Sequence, residues 1–96
     1  MLFALICNDK PNSLELRMTT RPEHVAYLTG LGGSLKAAGP FTDDNGSPIG
    51  SLVIIEADNR DSAERIAGED PYARAGLFAA TEIRGWVWSL KNPEAR

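Results

Sequence analysis

The chain has one cysteine and one histidine among its 96 residues, and each scarcity excludes a class of site. A single cysteine, Cys7, cannot form an intrachain disulfide or a thiolate cluster. A single histidine, His24, excludes a His-rich zinc or iron site within one chain. We therefore expect no metal. Because Cys7 lies inside an apolar run, we expect its thiol to be buried and inert.

The sequence also lacks a long apolar run and any block of like charges. The run Leu2–Cys7 is too short for a membrane span or a secretory signal, so the sequence predicts a cytoplasmic protein with no membrane partner. With a net charge of -3 and interspersed charges, no basic face is expected for nucleic acid. Its composition, 43% hydrophobic and 24% charged, is typical of a soluble globular protein, and 1–96 is long enough for one domain.

Four segments carry strand signals. The apolar run Leu2–Cys7 predicts the first strand. Ser34–Thr42 and Leu52–Ile55 flank a turn-rich segment and predict a hairpin with a long loop. The last strand is predicted over Leu77–Leu90, and its alternation divides six residues between the two sheet faces. Ile83, Gly85 and Val87 share one face, and Arg84, Trp86 and Trp88 share the other.

The clearest helix is predicted to begin at Thr20. Thr20 and Glu23 have the spacing of a capping box, Pro22 suits a first turn, and Gly32 and Gly33 follow the helix end. The preceding segment, 13–18, is interpreted as a connection. In this helix His24 lies on the stripe that faces the sheet.

A second helix follows, with Asn59 or Asp61 as its N-cap and its end near Gly68. Asp70–Gly76 predicts a further capped turn of helix, and Lys91–Arg96 a frayed tail. The order β-α-β-β-α-β indicates an α+β, ferredoxin-like fold, an antiparallel sheet with both helices on one face. Because nothing in the chain is left to cover the other sheet face, we expect a homodimer formed by back-to-back sheets.

His24 and Asp70 are the candidate catalytic residues. His24 is the one side chain that exchanges protons near neutral pH without a large pKa shift. Asp70 begins Asp-Pro-Tyr, where an N-cap carboxylate is held ionised and can orient an imidazole. The alternatives are a packed histidine, a plain N-cap, or a structural pair that joins the helix to the turn.

Three further residues are candidates for substrate binding. Arg21 lies in the same helical turn as His24 and can hold a small anionic ligand, or be a solvated surface arginine. Ser51 offers a hydroxyl at the mouth of a strand, without the Gly-x-Ser-x-Gly motif of serine hydrolases. Tyr72 either lines a pocket or belongs to the core. The glycines near residue 30 end a helix, so they are not a dinucleotide motif, and we expect no nucleotide cofactor.

Several motifs in combination resemble those of the YciI-like, or YCII-related, family over nearly the whole chain. The motifs are Arg21-x-x-His24-x-x-Tyr27-Leu28, Ala38-Gly39-Pro40, Gly50-Ser51-Leu52, Asp70-Pro71-Tyr72, Ala75-Gly76-Leu77-Phe78 and Glu82-Ile83-Arg84-x-Trp86. The resemblance implies a ferredoxin-like subunit of a dimeric α+β barrel and a cleft with a catalytic His and Asp pair, here His24 and Asp70. The Asp-Gly-Pro-Phe signature of one subgroup is matched only in part, because Ala38 replaces its aspartate.

Function varies within this family and fold. One branch resembles a dehydrochlorinase of a chlorinated hydroxyquinol, and the fold also hosts isomerases and monooxygenases. The sequence therefore predicts a small-molecule enzyme without metal or nucleotide cofactor. In this hypothesis His24 moves a proton in an elimination, isomerisation or lyase reaction on cyclic or aromatic carbonyl or enol compounds. The alternative is a non-catalytic dimeric module that binds a small ligand in the same cleft.

Overall fold

The secondary structure follows the predicted β-α-β-β-α-β order, with a short third helix before the last strand. A computed structural model describes residues 1–94. The strands are β1 (Leu2–Asp9), β2 (Leu35–Thr42), β3 (Pro48–Glu56) and β4 (Phe78–Trp86). The helices are α1 (Leu14–Gly30), α2 (Arg60–Glu69) and α3 (Pro71–Arg74), with a 3-10 turn at Gly32–Ser34. The α+β, ferredoxin-like fold is confirmed.

The four strands form one antiparallel sheet in the order β2-β3-β1-β4. The apolar run of β1 lies in the centre because it pairs with β3 on one side and β4 on the other. Its alternating residues Phe3, Leu5 and Cys7 point to the face that carries the helices, where Leu28 of α1 and Ala63 of α2 pack against them. This inner face holds the hydrophobic core. The residues between them, such as Ala4, point to the outer face.

Helix α1 begins at Leu14, six residues before the predicted start. Thr20 is a buried residue within the helix, and Pro22 lies inside it, so the predicted capping box is wrong. The N-cap is Ser13, whose carbonyl accepts a hydrogen bond from the Arg17 N–H at 3.0 Å. The missing N–H of Pro22 forfeits one helical hydrogen bond, but its fixed φ is helical. The earlier start buries a stripe of Arg17, Thr20, His24 and Leu28.

The caps of the two later helices are confirmed. Asn59 is the N-cap of α2, and its side chain accepts a hydrogen bond from the Ser62 N–H at 2.9 Å. Asp70 is the N-cap of α3, where it accepts from the Tyr72 N–H at 2.9 Å. Gly76 follows α3 with a φ of 77°, a left-handed conformation that favours glycine. These caps fix the turn that carries Asp70.

Strand β4 is shorter than predicted. Trp86 is its last residue because Trp86 pairs with Leu2, where the pairing of β1 begins, and the residues beyond it have no neighbouring strand. The prediction that Val87 and Trp88 continue the alternation is therefore wrong. Residues 95–96 of the predicted frayed tail lie outside the described residues. In the part of the tail that the structure describes, Glu94 forms an ion pair with Lys36, whose Nζ lies 3.0 Å from a carboxylate oxygen. No helix in residues 1–94 is long and apolar enough to span a membrane.

Candidate functional site

A cavity of about 420 Å³ lies between α1 and the β2–β3 half of the inner sheet face. Helix α1 contributes Arg17, Arg21 and His24 to its wall, β3 contributes Ser51, and α3 contributes Tyr72. Gly50 permits the close strand packing beside Ser51, because a Cβ there would lie 2.5 Å from the Cys7 carbonyl oxygen. The cavity therefore collects polar side chains from three separate elements.

His24 and Asp70 form a buried hydrogen-bonded pair. The imidazole Nδ1 lies 2.9 Å from each carboxylate oxygen of Asp70, and 46 residues separate the two in sequence. An ionised carboxylate only accepts hydrogen bonds, so Nδ1 is the donor, and the neutral imidazole then has its lone pair on Nε2. Nε2 has no partner among the described residues, and no buried side-chain nitrogen or oxygen there is unpaired. Nε2 is therefore accessible from the cavity.

Tyr72 fixes the plane of the imidazole. Its ring is stacked on His24, with centroids 3.9 Å apart and an interplanar angle of 16°. The Arg17 guanidinium carbon lies 4.6 Å from the centroid of the same ring. Two groups at these distances cannot share one face, so Tyr72 lies between His24 and Arg17. Burial, opposed by the charges of Arg17 and Arg21, raises the pKa of Tyr72, which keeps its hydroxyl protonated.

Arg17 is the site residue that sequence reasoning missed. Its Nε and Nη2 donate to the two carboxylate oxygens of Asp9 at 2.7 and 2.9 Å, and Nη2 also donates to Ser51 Oγ at 2.8 Å. Both side chains of the ion pair are about 95% buried. Burial lowers the pKa of Arg17, but the hydrogen bonds and charge of Asp9 outweigh this, so its pKa lies above the ordinary value. Arg17 is a fixed cation.

A signal for Arg17 was present in the sequence. Arg17 lies seven residues before His24, which places both on one face of a continuous helix. The interpretation of residues 13–18 as a connection hid this spacing. Asp9 is the last residue of β1 and lies in a polar stretch of the sequence, where nothing local indicates that its carboxylate is buried.

The structure brings the predicted site residues together. His24, Arg21, Ser51 and Tyr72 line one cavity, and Asp70 lies behind His24. Arg21 is exposed at the rim, whereas the other four are buried. Their roles stay predictions at this point, because no ligand shows how the cavity is used.

Cys7 lies on the inner sheet face close to the site. It is buried, and burial raises the pKa of its thiol to about 11, so it is uncharged at neutral pH. The predicted inert thiol agrees with this environment. Within residues 1–94, no three His, Cys, Asp or Glu side chains form a group suited to a metal ion.

Comparison with known proteins relates this chain to a defined group. A model of the YCII-related domain matches residues 1–87. Protein YciI of Escherichia coli O6:H1 is 36% identical over 92 residues, which cover 88% of this chain and 94% of that protein. An uncharacterized protein of Haemophilus influenzae is 37% identical over the same length and the same shares.

Solved structures give the same relationship. The 5-chloro-2-hydroxyhydroquinone dehydrochlorinase TftG of Burkholderia phenoliruptrix, in complex with 2,5-dihydroxybenzoquinone, is 35% identical to this chain. The match has a TM-score of 0.83 and covers 91% of this chain and 94% of TftG. A NIPSNAP family protein of Agrobacterium tumefaciens shares the fold, with a TM-score of 0.58 and 19% sequence identity. The match covers 98% of this chain and 97% of that protein.

Proposed function

Because this chain belongs to the YCII-related domain family, we propose that it is a small-molecule enzyme in which His24 transfers a proton and Asp70 orients it. One observation carries the proposal: Asp70 holds Nδ1 of the imidazole, and Nε2 is accessible from the cavity. A general base needs this arrangement, because the acceptor nitrogen must face the substrate while its partner stabilises the imidazolium. The relationship to the dehydrochlorinase TftG supports it.

The reaction follows from the position of Nε2. His24 Nε2 takes a proton from a hydroxyl or an acidic carbon of the substrate, and the electron pair of the broken bond moves into the ring system. In an elimination, the imidazolium first gives this proton to the ring carbon that bears chlorine, which becomes tetrahedral. His24 Nε2 then takes a proton from a second hydroxyl, the electron pair moves through the ring to form a double bond to that carbon as chloride leaves with its bonding pair, and the imidazolium releases its proton to water. In an isomerisation, the imidazolium returns the proton to another carbon. Arg21, Ser51 and Tyr72 bind the oxygen atoms of the substrate.

The first test is dehydrochlorination of 5-chloro-2-hydroxyhydroquinone, the substrate that the name of TftG gives. We expect purified protein to release chloride in proportion to enzyme concentration, measured with a chloride electrode alongside the absorbance of the quinone product. Heat-denatured protein is the control for spontaneous release. Release no faster than this control would contradict the elimination form of the proposal.

We also propose that two copies pair through the outer faces of their sheets. The outer face has a groove of about 200 Å³, lined in part by Phe41, Leu52 and Ile54. Trp86 on the same face is 37% exposed. An apolar sheet face of this kind is stabilised when it is covered. Sedimentation equilibrium is expected to give twice the chain mass of 10.4 kDa, and a stable monomer at micromolar concentration would contradict the pairing.

A further inference from the structure

We propose that one end of the cavity is an oxyanion subsite, formed by Arg17, Ser51 and Arg21, which selects ligands that carry an ionised oxygen on a small apolar body. The inference rests on the proposed function, because it assigns the charge of the molecule that His24 acts on. Its support is the inventory of donors and acceptors at this end of the cavity.

The side chains at this end offer mainly hydrogen-bond donors. Both carboxylate oxygens of Asp9 are occupied by Arg17, at 2.7 and 2.9 Å. Ser51 Oγ accepts from Arg17 Nη2 at 2.8 Å, so its hydroxyl proton is free to be donated. Arg17 Nη1 is not engaged by Asp9 or Ser51, whose bonds are made by Nε and Nη2, and Arg17 lines the cavity. The two guanidinium groups only donate, so a ligand atom that meets them must accept hydrogen bonds.

Arg21 adds an uncompensated positive charge. Among residues 1–94, no carboxylate lies within ion-pair distance of Arg21, whereas the charge of Arg17 is balanced by Asp9. Arg17, Arg21 and His24 have i, i+4, i+7 spacing on α1, so the subsite lies along the same helix face as the imidazole. A charged oxygen bound there is neutralised by Arg21 and is placed beside the proton-transfer group.

The remainder of the cavity wall is mainly apolar. Leu28, Leu35 and Val53 line it, together with Ala38 of β2. These side chains cannot solvate a second charge, so a second ionised group on the ligand is disfavoured. The cavity therefore fits a molecule with one ionised head, such as a carboxylate, phenolate or enolate, attached to a ring or short hydrocarbon.

The probes for the test are benzoate and benzamide, which share a ring and differ in the charge of the head group. Isothermal titration with the full chain is expected to give tighter binding of benzoate, by about tenfold, the loss associated with one charge-assisted hydrogen bond. R21Q is expected to weaken benzoate binding about tenfold and to leave benzamide within about twofold. R74Q is the matched control: it removes the same charge from an exposed arginine of α3 that does not line the cavity.

A measurement on Arg17 avoids a variant that would disturb the buried ion pair. In the wild-type protein, the guanidinium NMR signals of Arg17 are expected to shift on addition of benzoate and not of benzamide. Equal affinity for the two probes, no detectable binding of either at millimolar concentration, or equal effects of R21Q and R74Q would overturn the subsite. Chloride release combined with any of these results would leave the proposed function standing. Selective benzoate binding without chloride release would leave the subsite standing alone.

Discussion

Replacing His24 with glutamine is expected to lower kcat for chloride release by about 10²–10⁴-fold, the usual contribution of a general acid–base residue. Glutamine fills similar space and retains a hydrogen-bonding group toward Asp70, but it cannot take a proton at neutral pH. Because binding of the substrate oxygens is assigned to other residues, KM is expected to change much less than kcat. The measurement is steady-state kinetics with the folded fraction of each protein checked by circular dichroism.

Tyr27→Phe is the matched control for a merely structural role of His24. Tyr27 lies on the same helix, and its hydroxyl donates to the Ile66 carbonyl at 2.7 Å, outside the cavity. Loss of this bond is expected to lower the free energy of unfolding by about 1 kcal/mol and to leave turnover within about twofold. If His24→Gln behaves like Tyr27→Phe, with lower stability and retained turnover, then the His24–Asp70 pair is structural and the proposed mechanism is wrong.

Replacing Asp9 with alanine is expected to lower the free energy of unfolding by about 3–5 kcal/mol, as when one partner of a buried ion pair is removed. Arg17 stays charged and buried in this variant, and it loses both hydrogen bonds to the carboxylate. For a domain of ordinary stability this is a large fraction of the total. Urea denaturation monitored by tryptophan fluorescence measures the change.

Two further variants test whether the unpaired charge of Arg17 causes that loss of stability. The double variant Asp9→Ala with Arg17→Met removes the unpaired charge, so we expect it to recover most of the stability. Glu64→Ala breaks an exposed ion pair with Arg60, whose Nε lies 3.3 Å from the carboxylate, and it is expected to cost less than about 1 kcal/mol. A loss in Asp9→Ala no larger than in Glu64→Ala would contradict the burial of the Arg17 charge.

The strands could be predicted from the sequence because strand signals depend on local residue patterns. The run in β1 and the turn residues around Gly46 predict the first strand and the β2–β3 hairpin, and both are present in the sheet. The length of β4 could not be predicted in this way. It depends on where β1 stops providing partners, opposite Trp86, which is a property of the assembled sheet.

The site was predictable where local chemistry marks it. The N-cap geometry of Asp70 and its pairing with His24 follow from short motifs and one helix face. The start of α1 was not predictable from its capping signal, because burial of Arg17 against Asp9 and Ser51 stabilises about 1.7 more turns than the Thr20 motif implies. The pairing of Asp9 with Arg17 depends on the folded structure, and no periodic pattern in the sequence around Asp9 indicates it.

The seven-residue spacing between Arg17 and His24 limits how the coding sequence of α1 can change in length. An in-frame insertion of one codon between them would rotate the two side chains relative to each other by about 100° around the helix axis. One of them would then leave the face that packs on Tyr72. Insertions are better tolerated in the β2–β3 loop, where residues 43–46 are exposed and lie apart from the cavity wall. Substitutions in α1 can accumulate one at a time, whereas selection would remove insertions and deletions between Arg17 and His24.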